Sequence, residues 1–422
     1  DGQVAHFGNV TVDSVTQDTT LTTAYVSSRF GSIFEGLMIY QDDKVYGLGD
    51  NSVGQYGIGT NISSNTFIEI PFSGDILTFG ESHFQLSSIV KSDGSLWMTG
   101  INNNGQLGVG DQVNKSTWTQ VLGVNNSGYL SNIISCSSEQ HTLALTADGF
   151  VYGWGQNVYG EALGNGTLTK YLYPTTPIGG TSTPLSNIVQ VSTANRLGVA
   201  LDNTGNVWSW GNNNNGQFGN GNTTRLRTPQ LGLIRDVIQV TTTAQSVLYL
   251  KNDGTVWSVG RGYYGELGNG TGNGTTEVNA TSPVQVKSVD GSGYLTDIYK
   301  IDSNGTADTV FALKTDGTVY AWGNGSSGEI GDGGNVLRTT PVQVKGVGGS
   351  GYLENIIALS AGSFCTYAMS RDGTIYAWGK NVHGQLGDDT KTDSSTPVKV
   401  LKGAAPYGST EVQFTRPPVL PP

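Results

Sequence analysis

The chain has 422 residues, of which 62 are glycine, 13% are Asp, Glu, Lys or Arg, and 9% are aromatic. This is turn-rich β composition with enough apolar surface to bury, which excludes a disordered chain. A formal charge of −11 opposes the counterion release that binding to phosphate backbones needs, so no nucleic-acid partner is expected.

Residues 1–30 come first. VAHFGNVTV and LTTAYVSS read as strands about a polar turn over Asp13–Thr20. They either complete the last unit of the repeat described next or reach another copy of the chain, with Val10 and Val12 as candidate contacts.

From Val45 a core sequence returns seven times. It reads VYGLGDNSVGQYG at Val45, LWMTGINNNGQLG at Leu96, VYGWGQNVYGEALG at Val151, VWSWGNNNNGQFG at Val207, VWSVGRGYYGELG at Val256, VYAWGNGSSGEIG at Val319 and IYAWGKNVHGQLG at Ile375. Successive starts lie 51, 55, 56, 49, 63 and 56 residues apart. A period near fifty with β-branched and aromatic content is the mark of a β-propeller or β-solenoid, and it makes residues 31–401 one closed body. Before most cores stands Asp-Gly, at 93–94, 148–149, 253–254, 316–317 and 372–373. These pairs predict two-residue hairpin turns, with the carboxylates as turn formers and not catalytic acids. The first and fourth units carry Asp42-Asp43-Lys44 and Asn203-Thr204-Gly205-Asn206 instead.

After the turn, the strand period of two places Tyr152 and Trp154 on one face, as it does Trp208/Trp210, Tyr320/Trp322 and Tyr376/Trp378. These rings are expected to pack between neighbouring units. The glycine run that follows, Gly379 to Gly387 in the last unit, predicts a bent loop with Leu386 plugging inward. It has no Lys-Ser/Thr and no following helix, so it is not a phosphate loop. Between units, Ser-Gly-Tyr-Leu recurs in 121–133, 286–298 and 344–356. It predicts outer hairpins whose Tyr129, Tyr294 and Tyr352 either form a contact surface or anchor the loop as an aromatic corner. Residues 402–422 are rich in proline, which favours extended polyproline geometry. Phe414, Pro417, Pro418, Val419 and Leu420 are candidate assembly contacts.

The hairpin HTLALTADGFVYGWG (141–155), followed by an Asn-containing glycine loop ending Gly-Gln-Leu-Gly, resembles the repeat of the regulator of chromosome condensation family. The third and seventh units carry the pattern, the third with Ala162 inserted, and the likeness covers about residues 30–401. It implies an all-β, seven-bladed β-propeller of about 50–60 residues per blade, closed by strands from both chain ends. The founding member of that family is an exchange factor for a small GTPase that docks on chromatin. Secreted bacterial relatives include inhibitors of β-lactamase, and many members are binding modules. No exchange residue can be matched here position by position.

The histidines His6, His83, His141 and His383 do not recur across units and read as structural imidazoles. Cys136 and Cys365 read as buried apolar thiols. No nucleophile, zinc or calcium motif is present, so a non-enzyme without cofactor or metal is expected. No apolar run is long enough to span a membrane. A start at Asp1 reads as the result of signal removal, which predicts an extracellular location. Eleven Asn-x-Ser/Thr sequons are candidate glycosylation sites: Asn9, Asn61, Asn114, Asn125, Asn165, Asn222, Asn269, Asn273, Asn279, Asn304 and Asn324. The chain therefore reads as a non-catalytic extracellular structural or binding propeller that assembles head to tail into a fibre through its ends. The alternative is a secreted monomeric enzyme inhibitor or a receptor- or glycan-binding module, with a GTPase exchange factor third.

Overall fold

The computed structural model of the protein describes residues 29–401 apart from 34, 42, 158–161, 176–177 and 180–183. The candidate residues Asn9, Val10, Val12, Phe414, Pro417, Pro418, Val419 and Leu420, with His6, lie outside the described residues.

Seven four-stranded sheets form the blades of a β-propeller, and the inner strands of successive blades contact one another in cyclic order. In blade 1 the strands run from the axis outward as Arg29–Ile33, Gly36–Gln41, Lys44–Gly49 and Ser64–Ile70. Blade 7 is made in the same way from Ile356–Ala361, Cys365–Ser370, Ile375–Gly379 and Ser394–Lys399. Blade 3 differs. Its three antiparallel strands, Ile133–Ser138, His141–Thr146 and Val151–Gly155, gain a parallel neighbour at the axis, Glu81–Ser82.

Closure differs from the expectation of a strand shared between the chain ends. Blades 1 and 7 each hold four strands consecutive in sequence, and the boundary placed at residue 30 falls inside the first of them. The ring is joined by packing. Leu37 and Leu48 share one apolar cluster with Tyr367, Met369 and Leu386. Ser360 Oγ donates to Ser32 Oγ at 3.0 Å, and Lys380 Nζ reaches Glu35 at 3.2 Å.

The tryptophans act as pegs between blades. Trp154, Trp210, Trp322 and Trp378 are fully buried. Their Nε1 atoms donate to Gln106 O at 2.9 Å, Ala162 O at 3.0 Å, Glu266 O at 3.1 Å and Glu329 O at 2.7 Å, each acceptor lying in the glycine loop of the preceding blade. The close fit explains one glycine: a Cβ on Gly331, whose φ is +77°, would stand 2.8 Å from Trp378 Nε1.

The Asp-Gly hairpins are larger than expected. Lys91 N donates to Ser95 O and Gly94 N to Lys91 O, each at 2.9 Å, which leaves a three-residue loop in which only Gly94 has positive φ. Asp93 contributes by accepting from Ser95 N at 2.9 Å, and that bonding with Ser95 holds its carboxyl below the usual range. The carboxylates are thus the turn formers that the sequence indicates, but the turn type is different.

Candidate functional site

The antiparallel meander sends the first turn of each blade and its glycine loop to one face of the ring. On this face the residue after each third strand donates its N–H to the residue before the second strand: Asp50 to Glu35, Arg261 to Gln245, Asn324 to Asp308 and Lys380 to Phe364. Each bond ties the glycine loop to the first turn of its own blade.

The strongest cluster joins blades 5 and 6. Arg261 Nη2 lies 2.6 Å from Asp308 Oδ2 and its Nε 3.2 Å from Glu266 Oε1. Burial first, and then the charge of Asp308, push Glu266 up to about 7; burial also raises Asp308, while Arg261 pulls both back. The guanidinium lies 5.7 Å from the Tyr263 ring and 5.2 Å from that of Tyr264, and the two rings meet edge to face at 4.7 Å. Both tyrosines are partly exposed. A second cluster crosses the seam between blades 7 and 1. Glu35 receives Lys380 at 3.2 Å and His383 Nε2 at 3.4 Å, and Lys380 Nζ stands 4.7 Å from the Phe364 ring.

The axis carries a different chemistry. Hydroxyl pairs join inner strands of successive blades: Ser137 with Thr193 at 3.0 Å, Ser192 with Thr242 at 2.9 Å and Thr241 with Ser303 at 2.8 Å. A second tier runs beside it. Gln190 exchanges two bonds with the Val240 backbone and Gln239 two with Ile301, while Lys300 stands in the next place and donates to Leu359 O at 2.7 Å. Ser360 and Ser32 continue the hydroxyl pairing between blades 7 and 1, and beside them a small, partly open cavity is walled by Glu81, His83, Asp302, Ser32, Ser82 and Ser360 among others. Burial, followed by Asp302, pushes Glu81 up to about 8, and burial pushes Asp302 up to about 6. Sequence reading passed over this site because its carboxylates belong to no motif. Its only signals are Lys300 and Asp302 standing where blade 4 places Gln190 and Ser192 and blade 5 Gln239 and Thr241.

The remaining candidates are dispersed. Cys136 and Cys365 are buried free thiols, each pushed up to about 12 by burial. His83 and His141 are buried, and burial lowers each to about 4. The sequon residues Asn61, Asn114, Asn125, Asn222, Asn273 and Asn279 are exposed, whereas Asn165, Asn269 and Asn324 are half-buried. Asn304 is a correction: it is fully buried and donates to Ser363 O at 3.4 Å, so the folded chain does not offer it for modification. The outer tyrosines are not buried corners. Tyr129, Tyr294 and Tyr352 are exposed, with Lys287 and Lys345 5.1 and 4.6 Å from the last two rings, while Leu130, Leu295 and Leu353 beside them are buried. Among the described residues no three His, Cys, Asp or Glu side chains converge as metal ligands, and no helix is long and apolar enough to cross a membrane.

A family model described as the RCC1-like domain matches residues 130–414. The Arabidopsis thaliana ultraviolet-B receptor UVR8 is 27% identical over 372 residues, which cover 87% of this chain and 67% of the receptor. The human E3 ubiquitin-protein ligase HERC2 is 28% identical over 312 residues, covering 74% of this chain and 6% of the ligase. Among solved structures, Prp20p of Saccharomyces cerevisiae superposes with a TM-score of 0.69 at 19% identity, over 86% of each chain. Human WBSCR16 gives a TM-score of 0.69 at 20% identity, over 85% of this chain and 94% of the other.

Proposed function

Given that this chain belongs to the RCC1-like domain family, we propose that it is a non-catalytic propeller that binds a protein partner through the face carrying the glycine loops. The observation behind this reading is the cluster in which Arg261, buried against Asp308 and Glu266, supports the partly exposed rings of Tyr263 and Tyr264. Arginine and tyrosine held rigid at a surface are the residue types that dominate binding energy at protein interfaces, because little side-chain entropy remains to be lost on association. Prp20p, which shares the fold, binds Gsp1p and histones. The partner of this chain is taken to be a protein likewise. Affinity purification with quantitative mass spectrometry on the wild type and on Tyr263→Ser/Tyr264→Ser tests the reading, with Tyr352→Ser on the opposite face as control. Partner recovery should fall at least ~10-fold in the double variant alone; equal recovery from all three proteins would remove the loop face from the proposal.

A second reading, head-to-tail assembly of a secreted form through the chain ends, is favoured by one observation. Blades 1 and 7 are each complete without residues 1–28 and 402–422, which leaves those segments available for contacts other than ring closure. A heterologous contact of this kind extends into a filament when its rotation does not close. Deleting residues 402–422 should leave the propeller's thermal transition in place and lower the particle mass seen by light scattering. An unchanged mass would count against this reading.

A further inference from the structure

We propose that Asn324 is a site of self-modification, at which the backbone nitrogen of Gly325 attacks the side-chain amide and converts it to an acid. The chain holds eight Asn-Gly pairs. A glycine after asparagine leaves the attacking nitrogen unhindered, so these pairs are where such a reaction starts. Most of them are blocked in the folded chain, because a nitrogen whose N–H is donated to a carbonyl must first break that bond. Gly166, Gly221 and Gly270 donate to Arg227 O, Thr281 O and Thr339 O of the next blade at 2.8–3.0 Å. Gly274 donates to Tyr263 O at 2.8 Å, Gly105 to Asn102 O at 2.9 Å and Gly216 to Asn213 O at 3.0 Å. The Gly325 N–H meets no acceptor among the described residues. One apolar residue accounts for this. In blades 1, 2 and 7 the matching N–H, of Asn51, Asn102 and Asn381, goes to a side chain twelve residues on: Ser63 Oγ at 3.0 Å, Asn114 Oδ1 at 2.9 Å and Asp393 Oδ1 at 2.7 Å. Blade 6 has Leu337 in that place.

Two further contacts favour attack here. Asn324 Oδ1 accepts from Ser326 N at 3.2 Å, which closes a turn with the Gly325 nitrogen inside it and folds the carboxamide back toward that nitrogen. Thr309 Oγ1 donates to Asn324 O at 2.6 Å and draws electrons from the peptide group whose nitrogen must lose its proton. Asn324 is half-buried and so within reach of water. The remaining pair, Asn304-Gly305, also has a glycine N–H without an acceptor among the described residues, but both residues are buried and Asn304 Nδ2 is held by Ser363 O at 3.4 Å. In the reaction the Gly325 N–H proton passes to solvent, the bond from Gly325 N to Asn324 Cγ forms, and the amide nitrogen takes a proton from solvent and leaves as ammonia. The resulting succinimide is opened by water at one of its two carbonyls. The product is aspartate, or isoaspartate with the main chain rerouted through Cγ. Either one puts a carboxylate on the loop face at the position that Arg261 and Lys380 hold in the flanking blades, and removes the sequon. The inference does not rest on the partner-binding reading.

The test is peptide mapping by mass spectrometry of the full wild-type chain, incubated folded at neutral pH beside a sample unfolded in urea. Asn220 and Asn269 are the internal comparison, since they make the same turn, to Asn222 N at 3.3 Å and Thr271 N at 3.1 Å, with a glycine whose N–H is bonded. In the folded chain Asn324 should convert at least ~10-fold faster than either, the factor by which one hydrogen bond that must open slows attack. In urea the three should convert at similar rates. Electron-transfer fragmentation should find isoaspartate in part of the product, as opening of a succinimide requires. Equal rates in the folded chain, a lead for Asn324 that persists in urea, or a product that is aspartate alone would each overturn the proposal.

Discussion

Trp378→Ala is expected to destabilise the propeller by about 3–5 kcal/mol, the range for deleting a large aromatic side chain from a close-packed interior. The ring is fully buried among Ile330, Val344 and Phe311, and its contact with Phe311 is edge to face at 6.2 Å. Alanine also removes the Nε1 bond and leaves Glu329 O, at the turn of the neighbouring blade's loop, without its donor. The damage therefore spans the junction of blades 6 and 7. Trp378→Leu separates the two contributions, because Leu48 occupies the corresponding place in blade 1 and packs beside Gly387 of blade 7. Leucine restores part of the packing without the donor, so its destabilisation should be intermediate. Equilibrium urea unfolding of the three proteins measures both effects. A midpoint for Trp378→Ala equal to wild type would show that the peg carries no stability.

The peg was readable from the sequence, and the reason is periodicity. A strand exposes one face every second residue, and an aromatic pair at that spacing just after a turn, as at Tyr152 and Trp154 behind Gly149, has few places to go except the neighbouring blade. The glycine run placed Leu386 inward on a bent loop; it is fully buried, as are Leu107, Phe218 and Leu267 at corresponding positions. What could not be read was anything decided by the meeting of distant blades. Ser32 and Ser360 are 328 residues apart and touch because the ring closes there by packing. Glu81, Lys300 and Asp302 form a cluster because strand Glu81–Ser82, added to blade 3, and the inner strand of blade 6 both face the axis. No spacing within one unit announces this. The hairpins failed for a smaller reason: Asp-Gly is compatible with both a two-residue turn and a three-residue loop with a glycine bulge, and the choice follows from strand register.

Asn381→Ala is expected to be nearly as damaging as loss of the peg, although no apolar area is removed. Asn381 is fully buried at the base of the last glycine loop. Its Nδ2 donates to Asp388 Oδ1 at 3.1 Å, Thr390 Oγ1 at 3.0 Å and Thr392 O at 3.1 Å, and its Oδ1 accepts from Leu386 N at 2.9 Å. Asn51, Asn102 and Asn213 make the same clasp in other blades, so this side chain substitutes for a strand ladder across a loop that has none. Alanine strands the Leu386 N–H in the interior, at roughly 1–3 kcal/mol for such a group, and releases the loop carbonyl, for about 3 kcal/mol in all. Blade 6 shows what the chain does without the clasp. Gly325 stands in the asparagine's place, and Val336 O has moved in to 2.5 Å from where a Cβ would be, filling the room the side chain would need. Blade 7 keeps Asn381 and its loop is built around that side chain, so alanine leaves a gap and not a collapsed loop. Hydrogen exchange locates the effect: Leu386 N–H should lose protection in Asn381→Ala before the amides of strand Ile375–Gly379 do. Simultaneous loss at both would mean that the clasp holds the whole blade, and unchanged protection at Leu386 would mean that another acceptor takes over the bond.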